Sequence, residues 1–121
     1  GRILFPWNPE FYKSVRIWNL AYQKMPAAVA LVADEHDVSL LMRLVNEYGI
    51  PVAIRSGGHS YGGYSVNSLG LVISLAEMTS AEVDTSTGQV RLEPGVTDQM
   101  AMDYLNPQGW AMVCGGCGQV A

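Results

Sequence analysis

The sequence predicts an α+β fold: a β-α-β unit over residues 27–55, followed by further strands and one short helix. Three observations carry that expectation. The run Ala27–Ala33 is short and apolar, as a buried strand is. Val38, Leu41, Met42, Val45 and Tyr48 then recur at helical spacing. Asp34 before them is a good N-cap, and Gly49 after them is a good helix stop. Pro51–Ile54 is again short and apolar, which makes it the second strand. By default such a unit is a parallel pair with a right-handed crossover.

The elements follow in order. Residues 1–26 are aromatic and irregular, and Pro6 and Pro9 break any early helix. Glu10–Lys24 is predicted helical, with Phe11, Val15, Trp18 and Tyr22 on one face packed against the body of the protein. Glu35 and Asp37 favour the dipole at the start of the next helix, where His36 reads as a solvated surface residue. Gly70–Leu75 is a further strand. Ala81–Asp84 and Gln89–Glu93 flank the loop Thr85–Gly88 and read as an antiparallel hairpin. Thr97 caps a short helix, Asp98–Leu105, which Asn106-Pro107 stops. Trp110–Val113 is an apolar run leading to Cys114. No repeat, linker or low-complexity segment divides residues 1–121, so they read as one unit. Gly118–Ala121 looks like the middle of an element, and the expectation is a piece of a longer chain.

Composition removes several functions. The net charge is −4 and no basic cluster appears, which argues against a nucleic-acid binder. No apolar run reaches the length of a membrane span. Cys114 and Cys117 are the only cysteines, spaced C-x-x-C. They read as free thiols or a local disulfide. His36 and His59 do not supply the spacing of a zinc site, so no metal is expected.

The stretch with chemical character is Arg55-Ser56-Gly57-Gly58-His59-Ser60-Tyr61-Gly62-Gly63-Tyr64-Ser65. It follows a predicted strand. Glycine lets backbone N–H groups approach an anion closely, and such turns cradle phosphates. Arg55 is placed to add a charge-assisted contact, or else to pair with Glu77 or Glu93. His59 is either a presented side chain or a hydrogen-bonded loop histidine. Neither G-x-G-x-x-G nor G-x-x-x-x-G-K-[ST] is present, so neither the Rossmann nor the Walker arrangement applies.

The run Pro51–Tyr61 resembles the flavin-binding loop of the vanillyl-alcohol-oxidase superfamily, the PCMH-type FAD-binding domain. It looks closest to the branch of berberine-bridge-enzyme-like proteins and oligosaccharide oxidases. Trp18-Asn19 ahead of Pro26 is similar to the family's entry into its first β-α-β, and Asp37-Val38 to its helix start. Val90–Gly95 resembles a family strand that ends in glycine. Gly116–Ala121 is similar to the family's Gly-x-Cys-Pro-x-Val-Gly, with Gly118 where the proline usually stands.

The resemblance implies the N-terminal part of a flavin domain. Arg55, Ser56, Gly57, Gly58, His59, Ser60 and Tyr61 would be the cofactor-binding residues, with residues 56–60 cradling the FAD pyrophosphate. His59 would carry the covalent 8α bond to the flavin, and Cys117 a second bond at flavin C6. Cys114 is the rival thiol. The implied activity is an FAD-linked oxidase: hydride passes from an alcohol- or sugar-type substrate to FAD, and electrons pass on to O2. The partners would be FAD, a small-molecule substrate, O2, and the rest of the polypeptide or a second chain that completes the site. No catalytic residue is expected within residues 1–121. The alternative is a non-catalytic structural or interaction subunit derived from a flavin domain. Relatives of this kind tilt the expected compartment toward secretion.

Overall fold

The computed structural model describes residues 1–121. Its sheet has four strands: β1 (Arg2–Leu4), β2 (Ala28–Leu31), β3 (Val52–Arg55) and β4 (Leu71–Ser74). Their spatial order is β1-β2-β4-β3, with β1 antiparallel and the other three parallel. The parallel β-α-β is present, but β2 and β3 are not neighbours. The later strand β4 lies between them, pairing Val72 with Val29 on one side and with Ala53 on the other. Leu71, Val72, Ile73 and Ser74 are all buried, as the central strand of a sheet covered on both faces is.

Helix α1 (Phe11–Val15) is much shorter than the predicted Glu10–Lys24. The chain turns extended at Arg16, and a single 3-10 turn, Leu20–Tyr22, follows with Asn19 as its cap. Only Phe11 and Val15 of the predicted aromatic face are buried; Trp18 is 57% exposed and Tyr22 is 48% exposed. Strand β1 also lies in the stretch expected to be irregular, and it adds to the sheet through main-chain pairing.

Helix α2 (Glu35–Tyr48) keeps its predicted ends. The Asp34 side chain accepts from the Asp37 N–H at 2.8 Å, and Gly49 stops the helix at φ +61°. Val38, Leu41 and Met42 pack with Val45 against Ala30, Val32, Leu71 and Ile73 on one face of the sheet. On the other face Phe11, Val15 and Ile17 cover Val29, Leu31, Ala53 and Val72, with Val66 closing the layer. The sheet is thus covered on both sides, which is why its strands are apolar without alternation.

The predicted hairpin forms as β5 (Ala81–Asp84) and β6 (Gln89–Leu92), a separate two-stranded sheet. Asp84 organises its loop by accepting from Ser86 and Thr87, which hold its carboxyl at about 2, below the ordinary 3.8. Helix α3 (Asp98–Leu105) begins under its predicted cap, Thr97. No helix is long and apolar enough to cross a membrane.

Candidate functional site

Residues 56–70 form the connection from β3 to β4, and the glycine loop is its first half. None of the seven consecutive backbone N–H groups from Ser56 to Gly62 donates a hydrogen bond within the chain. Backbone donors normally find a partner, so a run of this length calls for one from outside. Gly58 is buried and takes φ +75°, while Gly57 before it does not. Such a reversal of φ is the kind of backbone that can turn successive N–H groups toward an anion. Side chains of Ser56, His59 and Ser60 border the same cavity, of about 350 Å³, with Val120 and Ala121 across it.

Arg55 stands differently from the loop's other residues. Its Nη2 donates to the Arg16 carbonyl at 3.1 Å, and its Nε is buried with no partner. A Cβ at residue 58 would meet that Nε at 3.0 Å, so the guanidinium lies against Gly58 from behind. Burial pushes its pKa down from the usual arginine value. Neither Glu77 nor Glu93 pairs with it: Glu77 takes Arg2 at 3.4 Å, and Glu93 accepts from the Ser80 N–H at 2.6 Å.

The C-terminal cysteine segment comes to the loop by way of α3. The first N–H groups of that helix have no partner within it. Here Asp98 N donates to the Val120 carbonyl at 2.7 Å, and Gln99 N donates to the Gly118 carbonyl at 3.0 Å. In return Gly115 N donates to Asp98 Oδ2 at 2.7 Å. The segment so held lies directly on the glycine loop. A Cβ at residue 57 would come within 2.6 Å of the Gln119 carbonyl oxygen.

This arrangement places Cys117 and His59, 58 residues apart in sequence, on one cavity of about 400 Å³. Trp18, Tyr61, Gly115, Gly116 and Val120 complete its walls. Cys114 is not part of that lining; its thiol is directed at the Met112 carbonyl, 3.8 Å away. The two cysteines are free thiols. No group of three or more His, Cys, Asp or Glu side chains is placed to hold a metal ion. A larger cleft of about 450 Å³ lies between α2 and the β5–β6 hairpin, around Glu35, Glu82, Arg91 and Glu93. It contains none of the predicted site residues.

Trp18 and Asn19 are the parts that reading the residues missed. The helical spacing assigned Trp18 to a packed face. The structure instead docks it on the histidine loop: Trp18 N donates to the Gly58 carbonyl at 3.0 Å, and Asn19 Nδ2 donates to the Tyr61 carbonyl at 2.7 Å. The Trp18 ring stacks on His59 with centroids 6.0 Å apart. The Trp18-Asn19 pair was part of the family resemblance, which was the one available signal.

These residues fit a flavin dinucleotide. The unpaired N–H run suits a pyrophosphate, and the neighbouring aromatic cavity, bordered by a histidine and a thiol, suits a ring system. Comparison with known proteins agrees. A family model described as an FAD binding domain matches residues 26–120. The chain is 30% identical over 115 residues to (R)-6-hydroxynicotine oxidase of Paenarthrobacter nicotinovorans, covering 95% of this chain and 25% of that protein. It superposes on the crystal structure of 6-hydroxy-D-nicotine oxidase from Arthrobacter nicotinovorans with TM-score 0.93 and 28% identity, over 99% of this chain and 26% of that one. A carbohydrate oxidase from Microdochium nivale shares the fold at TM-score 0.89 and 24% identity, over 98% of this chain and 26% of that one. The chain therefore spans about a quarter of the length of these relatives.

Proposed function

The chain belongs to the FAD-binding domain family, in its PCMH-type, vanillyl-alcohol-oxidase form, and on that premise we propose that it is the cofactor-holding part of an oxidase whose flavin is covalently attached. One observation carries the reading: His59 and Cys117 border a single cavity that opens beside an unpaired run of backbone donors.

The residues divide the work. The N–H groups of Ser56–Ser60 bind the pyrophosphate, where a nest of donors favours negative charge. Arg55 sets the shape of that nest by bracing Gly58. Gly57 lets the Gln119–Ala121 backbone close the opposite wall. His59 would hold the flavin through a ring nitrogen at its 8α carbon, and Cys117 would hold it through sulfur at C6. In each attachment an N–H or S–H bond and a flavin C–H bond are lost, and a C–N or C–S bond forms. The two hydrogens leave on O2 as hydrogen peroxide, so the electrons balance. Cys117 is favoured over Cys114 because only Cys117 lines the cavity. Bound FAD would supply hydride acceptance from the substrate and electron delivery to O2.

The proposed donor is a small organic molecule of the alcohol or sugar class; the 30%-identical relative is itself a 6-hydroxynicotine oxidase, and a carbohydrate oxidase shares the fold. None of the residues on the cavity is placed as a substrate base, so that role falls to other residues of the complete site. The test is direct. Protein denatured and precipitated in acid should stay yellow, and peptide mapping should find flavin on the peptides bearing His59 and Cys117. His59→Ala should leave only the thioether. A colourless precipitate would refute covalent attachment. Absence of any bound flavin in the native protein would favour the structural-subunit alternative.

A further inference from the structure

We infer that Trp18 is the positioning residue for His59: it fixes the plane of the imidazole so that a ring nitrogen faces the cavity shared with Cys117. This rests on the covalent-flavin reading and adds a residue to it.

The need for such a residue follows from the loop. His59 comes directly after two glycines, the most freely rotating residues available. Neither of its ring nitrogens makes a hydrogen bond within the chain. No hydrogen bond from residues 1–121 orients the ring. What lies against it is the Trp18 indole, with the planes 24° apart.

Trp18 is itself fixed to the same loop on both sides of the histidine. Its N–H holds the Gly58 carbonyl, and the Asn19 side chain next to it holds the Tyr61 carbonyl. The Tyr61 ring meets the indole edge-on, 5.7 Å away at 85°. A stack covers the face of the imidazole and leaves its edge free. Bond formation to the 8α carbon uses an in-plane lone pair on that edge. The contact therefore restrains what must be restrained and leaves the reacting atom open.

The experiment compares Trp18→Ala, Trp18→Phe and His59→Ala in the protein as it is expressed. Each is made under riboflavin limitation and then given FAD. Acid-stable flavin on the His59 peptide is followed with time, alongside flavin on the Cys117 peptide and the affinity for FAD before attachment. Loss of an aromatic partner, and the misplacement that follows, predicts attachment at His59 about tenfold slower in Trp18→Ala. Trp18→Phe keeps a ring face and should stay within about threefold of the parent. Attachment is compared at saturating FAD, so that any weaker binding from the loss of a cavity wall is separated from the loss of positioning, and the Cys117 thioether should form at the parent rate in both.

Attachment at the parent rate in Trp18→Ala would overturn the inference. So would an equal loss of FAD affinity, thioether and histidyl flavin, which would mark Trp18 as a general support of the loop. If the parent protein itself never acquires flavin on His59, the covalent reading fails, and the inference fails with it. That outcome is separate from a parent that attaches and a variant that does so equally well.

Discussion

A methyl group at residue 57 should separate the two halves of the site. Gly57 does not have positive φ, so an alanine there meets no backbone strain, and any effect comes from space alone. The added Cβ would lie 2.6 Å from the Gln119 carbonyl oxygen and 2.9 Å from the Ala121 nitrogen. Both are backbone atoms and cannot swing aside. Overpacking of this kind costs about 1–3 kcal/mol. The segment it pushes on is tied to α3 by three hydrogen bonds, Asp98 N to Val120 O, Gln99 N to Gly118 O and Gly115 N to Asp98 Oδ2. At about 0.5–1.5 kcal/mol each, those ties are comparable to the clash, so the variant should strain or release some of them rather than unfold. Gly57→Ala is thus expected to fold, to lose about 1–3 kcal/mol in denaturant unfolding, and to bind FAD about tenfold more weakly or worse. Titration with FAD, read by quenching of tryptophan fluorescence, measures the second effect because Trp18 borders the cavity. Unchanged stability together with unchanged FAD binding would refute the packing of the C-terminal segment on the glycine loop.

Other outcomes follow from the same geometry. Asp98→Ala removes the acceptor for Gly115 N and should speed alkylation of Cys117 by iodoacetamide, while Asp98→Asn, which keeps an oxygen there, should change it much less. Arg55→Met loses the bond to the Arg16 carbonyl and should destabilise the fold by about 1–3 kcal/mol, seen as a lower denaturation midpoint. Asp84 is held at about 2 against an ordinary 3.8, so its stabilising hydrogen bonds are complete above about 4 and fade as pH falls toward 2. Amide exchange at Ser86 and Thr87 should accelerate over that interval, and Asp84→Asn should abolish the pH dependence.

Much of this was open to reading, for local reasons. Caps, apolar runs and the hairpin depend on residues close in sequence, so α2, α3 and the four-residue turn at Thr85–Gly88 fell where expected. The glycine loop announced itself by composition. The failures are long-range. Nothing around Leu71 tells that this strand lies between the two earlier ones. Helical spacing suggested a long first helix, but the chain straightens at Arg16, whose carbonyl is taken by Arg55, 39 residues away. Trp18 and Tyr22 then leave the face the spacing assigned to them. The bond from Arg55 to the Arg16 carbonyl and its packing against Gly58 are matters of tertiary structure that the local sequence does not announce. Asp98, which holds the cysteine segment, had only the look of a helix start.

The central place of β4 has a consequence for how the protein reaches its working state. β2 and β3 make no ladder with each other, so the first β-α-β cannot close on itself. Both wait for residues 71–74 to insert between them. The glycine loop is part of the segment that makes this insertion, so its ends come together only when β4 arrives. Loop closure over such a separation carries an entropic cost before any pairing compensates for it. The N–H nest and the sheet should therefore appear in one cooperative event, late in folding. A chain cut before Leu71 would have the histidine and the glycines but no cradle, and cofactor capture should report completion of the sheet.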